Sequence, residues 1–397
     1  MTSMDEIIYT LDPEGDVILV LYNVPENLPR SMWDIDASTL AGFSNVSMHF
    51  EPVSEPPPDI RNLEEENGIV ELDHTEGTNT FVDSSQDHQH AEHHLQIRAS
   101  SKHLALACPQ FKRTLQHGFQ EGDELKSKGY LELPVQDWPA LPFLILAMII
   151  HGRTRTVPRE ISLERLAEIA LLVDYYECYE AVEVFSDLWI NSLAKTPLES
   201  VCAAEKWLFI SWVFQQDMMF ERSSKYLQLS YRTNITSIQY PIPSSVRGKF
   251  TLIPTSPLPS NVKVVDLKSD AINVSREDAI KRLIECIYNL WSRLQSSTAR
   301  CSYECDCMLL GALTKQMHEM DILSPRPKSE FPGICFNELA SQCCYTRKPQ
   351  WYGRKSNVSH SCSLSSSLAP LVGSLKDSLT GLDISSFVQL RRPGHPK

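Results

Sequence analysis

The sequence has no surplus of positive charge: 37 Lys and Arg stand against 50 Asp and Glu, a formal net charge of −13. Binding that works by neutralising many phosphates needs a basic face, so nucleic acid is not an expected partner. Long apolar runs are also missing. The longest, Leu141 to Ile150 (LPFLILAMII), is about half of the ~20 residues that a spanning helix requires, and no membrane partner is expected. The opening MTSMDEIIYTLDPEGDV has acids at Asp5 and Glu6 and no basic n-region, so it does not read as a secretory signal. No G-x-S-x-G, H-E-x-x-H, P-loop or G-x-G-x-x-G motif occurs, and no internal repeat. These absences predict an intracellular protein that is not an enzyme, and they do not distinguish nucleus from cytoplasm.

What is present is apolar material for real cores: 397 residues, 42% hydrophobic and 9% aromatic. At roughly 100–200 residues per domain, two or three units fit. The 11 cysteines, in a chain with no secretory signal, are expected to be reduced thiols or metal ligands.

The composition changes along the chain. DVILVLY after Asp-Pro-Glu-Gly reads as a turn and a strand, placed at 12–22. From Glu51 to Glu92 there are 12 acids, one Arg, four prolines and one aromatic, Phe81. Such a stretch buries too little apolar area to offset its ordering entropy, so 25–94 reads as an acidic, largely disordered insert. LQIRA is a predicted strand. SSKHLALACPQFKRTLQ has Leu104, Ala107, Cys108, Phe111 and Leu115 at near-helical spacing. A further strand at Tyr130 to Leu133 is expected to stop at Pro134. Helices are then predicted for Leu141–Ile150, after Ser162, and from Tyr179. Residues 198–235 read as a helical extension, 236–273 as a proline-rich linker, and 274–390 as a helical, Cys-containing unit. In that unit Ser275 with Asp278 resembles a capping box, and a cysteine-dense segment precedes a helix near 308–320.

The order of these elements resembles the BTB/POZ domain. Asp16-Val17-Ile18-Leu19-Val20 is similar to that family's first strand. Leu104-Ala105-Leu106 and Cys108-Pro109-Gln110-Phe111 keep the spacing of its first helix, Leu131-Glu132-Leu133 is similar to a third strand, and Leu166 to Cys178 is similar to its Ala-x-x-Tyr helix. Ser100-Ser101 replaces the family's His-Lys pair, Cys108 replaces a Ser, and about seventy residues separate strands that the family usually joins with a few. Long surface loops add little closure entropy per extra residue. HGRTRTVP and LLVDYYECYEAVEVF are similar to a large fungal group of BTB proteins. The resemblance implies an α+β fold in which a small sheet is flanked by helices. The domain would be split between 12–22 and 95–193, with a mainly helical C-terminal unit after it.

By that resemblance the chain is a non-enzymatic protein–protein interaction scaffold with protein partners, acting as a homodimer through the Leu104, Cys108 and Phe111 region. The alternative within the family is a substrate adaptor for a cullin-type ubiquitin ligase. Phe119-Gln120-Glu121 stands where adaptors carry a hydrophobic-x-Glu motif, and the bland reading is local packing of Phe119 with Glu121 solvated. From the residues themselves, Cys301, Cys305, His360 and Cys362 offer two close-spaced pairs of soft ligands for a structural zinc. The competing reading is buried free thiols, and a metal-dependent enzyme in the C-terminal unit is the alternative of another class. The tract His88 to His94 (HQHAEHH) reads as solvated more readily than as a metal site. The aromatic group Trp207, Phe209, Trp212, Phe214 and Phe220 reads as packing.

Overall fold

The structure is a computed structural model. It describes residues 7–42, 94–242, 271–347 and 362–390, with short gaps at 23, 26–27, 36, 117, 136–137, 236–239 and 297–300. Residues 43–93, where disorder is expected, lie outside the described residues. Among the described residues no helix is long and apolar enough to cross a membrane.

The fold is α+β. A four-stranded mixed sheet is built from β1 (Ile7–Thr10), β2 (Val17–Leu21), β3 (Leu95–Ala99) and β4 (Leu131–Val135), in the order β1-β3-β2-β4. β2 runs antiparallel to β3, with Val17 opposite Ala99 and Leu21 opposite Leu95. It runs parallel to β4, with Val17 opposite Leu131 and Leu21 opposite Val135. The strand expected to be first therefore lies in the middle of the sheet, and its alternation shows why: Val17, Leu19 and Leu21 are buried while Ile18 and Val20 are half-buried. β1, which the sequence reading did not anticipate, pairs parallel to β3.

Two expectations about boundaries are corrected here. Pro134 does not stop β4; it stands opposite Val20 within the ladder. β4 is an edge strand, and a residue without an N–H is tolerated there. The insert does not begin at 25 as an unstructured stretch. A 3-10 turn at Met32–Asp34 and α1 (Ala37–Gly42) follow β2, and Val24, Leu28, Ile35 and Leu40 are buried in the core. Tyr9 donates its hydroxyl to the Pro29 carbonyl and so fixes this segment against β1.

Helices cover the sheet. α2 (Ser101–Ala107), α3 (Pro109–Thr114) and α4 (Gln120–Lys128) precede β4. α5 (Ala140–Ile150) is buried at every position from Ala140 to Ile149, as its unbroken apolar sequence requires. α6 (Leu163–Tyr176) starts at Ser162, whose hydroxyl accepts from the Arg165 amide at 3.1 Å. α7 (Tyr179–Leu193) packs against α5 and α6, α8 (Val201–Val213) against α6, and α9 (Asp217–Ser230) against α8, and Trp207, Phe209, Trp212 and Phe220 are core residues.

The C-terminal unit has α10 (Ala271–Leu294), α11 (Tyr303–Glu319), α12 (Phe336–Cys344) and α13 (Leu364–Ser378) around a second core. α10 is helical before Ser275, so the capping expectation at Ser275 and Asp278 is corrected: both are inside the helix. α11 starts at Tyr303 and takes in Cys305 and Cys307, earlier than the predicted 308. Nor is 236–273 wholly a spacer, because Ile242 and Ile272 are buried in the first core and Tyr240 stacks on Phe209 at 5.2 Å.

Candidate metal centre and association surfaces

Two serine-capped helix starts meet in the C-terminal unit. Ser302 accepts from the Cys305 amide at 3.1 Å and caps α11. Ser363 accepts from the Ser366 amide at 3.0 Å and caps α13. Cys301 and Cys362 each occupy the position just before a cap, and Cys305 is the third residue of α11. The three sulfur atoms all lie within 4.8 Å of one another. Ser365 donates to the Cys344 carbonyl at 2.8 Å, which ties the start of α13 to the end of α12. Cys301 is exposed, Cys362 half-buried and Cys305 buried.

The electrostatics of this cluster oppose charge on sulfur in the absence of a cation. Burial, then the adjoining Cys362 thiol, push Cys305 up to about 12. Cys301 is also raised by desolvation and by Cys362. The buried Asp306 carboxylate acts in the same direction on both. A bound cation inverts this logic, since it stabilises thiolate where crowding otherwise disfavours it. The donor set therefore suits a thiophilic metal: three sulfurs fill three of the four positions of a tetrahedron.

Of the residues nominated from sequence, Cys301, Cys305 and Cys362 converge, while His360 lies outside the described residues. Cys307 is exposed and borders a groove between α11 and α12 instead. Cys335 is buried and its thiol is 3.3 Å from the Leu229 carbonyl. Cys343 is buried and pushed up to about 12 by that burial. Both have the character of core thiols. Of the His88 to His94 tract only His94 is described, edge-on to Tyr22.

The nominated association residues divide. Leu104, Cys108 and Phe111 are 1%, 0% and 2% exposed, so as contact side chains they are corrected: their apolar area is already used in the chain's own core. Phe111 stacks on Tyr176 at 4.5 Å, and Cys108 adjoins Cys178. The same helix turns Leu106 outward at 86% exposure. Phe119 is 55% exposed just before α4, and Glu121 is half-buried in its first turn.

Ser100 and Ser101 anchor the junction of β3 and α2. The Ser101 amide and hydroxyl donate to the two oxygens of Asp16 at 2.8 and 2.7 Å. The Ser100 amide donates to Nε2 of His151 at 3.0 Å, and Nδ1 of His151 is 2.8 Å from the Ala147 carbonyl. Burial lowers the pKa of His151.

Arg276 was not singled out in the sequence reading. It is fully buried, and its guanidinium makes six hydrogen bonds, to the carbonyls of Tyr231, Arg232, Glu330, Phe331 and Ile334 and to Oδ1 of Asn234, at 2.9 to 3.1 Å. It joins the chain after α9 to α10 and to the loop before α12. Its place inside an amphipathic helix gives no one-dimensional sign of burial.

No protein-family model matches this chain, and neither a curated protein nor a solved structure matches it.

Proposed function

We propose that this chain is a protein–protein association module of the BTB/POZ type, self-associating and without catalysis of its own. One observation carries most of the weight: Val17–Leu21 lies between Leu95–Ala99 and Leu131–Val135 despite the long acidic excursion between the first two strands. That pairing is the one the family resemblance requires. The contact falls on α2 through Leu106, because its neighbours Leu104 and Cys108 are committed to the core. Light scattering of the full chain across micromolar concentrations tests the proposal. A dimer is expected, and a monomer throughout the range refutes it.

The metal in this reading is a structural zinc held by Cys301, Cys305 and Cys362, with His360 as the fourth ligand proposed from sequence. Zinc, when bound, supplies a cross-link between the starts of α11 and α13. Metal analysis of the purified protein should find about one zinc per chain, lost in Cys305→Ser together with some stability of the C-terminal unit. Protein that is fully folded and metal-free after expression in zinc-replete medium contradicts it.

A further inference from the structure

The three thiols differ in one respect that a metal-only reading does not use. Cys301 is open to solvent, Cys362 is half-buried, and Cys305 is buried beneath them, with all three sulfurs within 4.8 Å. Cys108 and Cys178, the neighbouring pair in the first core, are both fully buried and shielded from an oxidant in solution. Cys307 is exposed two residues beyond Cys305 but is not part of the cluster.

We infer that this cluster is a reversible oxidation site, in which Cys301 and Cys362 close a disulfide between the starts of α11 and α13. The inference goes beyond the zinc proposal, because the thiols alone are sufficient for it. A disulfide needs about 2.05 Å between sulfurs. Rotation about χ1 moves a cysteine sulfur by about 3 Å, which spans the remaining gap. The oxidant is a hydroperoxide. The Cys301 thiolate attacks one peroxide oxygen, the O–O bond breaks, and hydroxide leaves with the electron pair and takes up a proton as water. This leaves a sulfenic acid on Cys301. The Cys362 sulfur then attacks the Cys301 sulfur. The S–S bond forms as the S–O bond breaks, and a second water leaves with the proton from Cys362. Two thiols and one hydrogen peroxide give one disulfide and two waters.

Cys305 stays reduced beneath the bridge, and an added dithiol restores the site by thiol–disulfide exchange. Where the three sulfurs hold a metal, closing the bridge removes two of its ligands and releases it.

The test uses the full chain in two states, stripped with a chelator and loaded with zinc, each exposed to hydrogen peroxide and digested without reduction. The expected product is a linked peptide pair joining Cys301 to Cys362, a loss of about two titratable thiols per chain, and reversal by dithiothreitol. Zinc-loaded protein should release its zinc in step with the bridge. Cys307→Ser should leave the bridge intact, and Cys301→Ser should abolish it. The mapping on wild-type protein stands even where a variant folds poorly. A bridge between other cysteines, or sulfinic acid at Cys301 with Cys362 still free, overturns the inference. Zinc binding without a bridge refutes this inference alone, and a bridge in protein that never binds zinc refutes only the zinc proposal.

Discussion

At the scale of single residues, Arg276 is the clearest case of a side chain whose role is set by what surrounds it. Its charge is out of water, and all six of its acceptors are carbonyl oxygens, five from the main chain and one from Asn234. Two of those carbonyls belong to Glu330 and Phe331, which both have positive φ, at 73° and 38°. The guanidinium thus holds two consecutive left-handed, non-glycine residues in place. Arg276→Ala leaves those oxygens buried and unpaired and should destabilise the protein by about 3–5 kcal/mol. Arg276→Lys should recover only part of this, because an ammonium has three donors and no planar fork. Urea unfolding of both variants checks the order, and a stability of Arg276→Ala equal to wild type contradicts the assignment. None of this was legible beforehand: an arginine within an amphipathic helix looks like any solvated one. The three converging cysteines were legible, because Cys301 with Cys305 and His360 with Cys362 form two close-spaced pairs of soft ligands. Leu106 was not, because near-helical spacing across the Leu104–Phe111 region does not say which apolar residue faces out where α2 ends and α3 begins.

At the scale of elements, hydrophobic alternation and Ser caps were the reliable signals. β2, β3, α5 and the Ser162 cap stand close to where the sequence places them. Two failures have physical causes. Pro134 reads as a strand breaker only if the strand is assumed to be paired on both sides, and an edge position is decided by tertiary order. Ser275 and Asp278 match a capping box locally, yet α10 is helical before them, and Ile272 and Asn273 are packed inside. The junction of β3, α2 and α5 gives a titration prediction. Nε2 of His151 accepts from the Ser100 amide, so protonating it breaks that bond. The groups around it are His103, Asp12 and Arg153, and burial makes the largest contribution to lowering its pKa. The unfolded chain, near the ordinary value of about 6.5, therefore binds the proton first. The stability from neutral His151 is complete above that pH and is lost as pH falls from there through the folded pKa. His151→Gln should flatten the stability–pH curve as pH falls below about 6.5 relative to wild type. Parallel curves in that window contradict the assignment.

At the scale of the whole molecule, the sequence reading divided the chain too cleanly. Leu229 of α9 packs in the C-terminal core, whereas Ile272 and Ile384 pack in the N-terminal one. The C-terminal 3-10 turn, Ile384–Leu390, returns to α9, where the Leu382 amide donates to Ser224 at 2.8 Å and Phe387 meets Phe220. Such closures join positions more than a hundred residues apart, and local composition carries no record of them. Gly381 is the tight point of this return: a Cβ there would stand 1.8 Å from the Glu221 carbonyl oxygen. Gly381→Ala should therefore cost about 1–3 kcal/mol and expose the C-terminal segment to limited proteolysis, and an unchanged digestion pattern contradicts it.

The central claim is association through the outer face of α2, and sedimentation velocity of wild type beside Leu106→Asp tests it most directly. Leu106 makes little use of its area within the chain, so the substitution should leave thermal stability within about 0.5 kcal/mol. The account predicts a wild-type dimer and a folded, monomeric Leu106→Asp at the same micromolar concentration. Identical sedimentation of the two proteins, whether both monomeric or both dimeric, would contradict it.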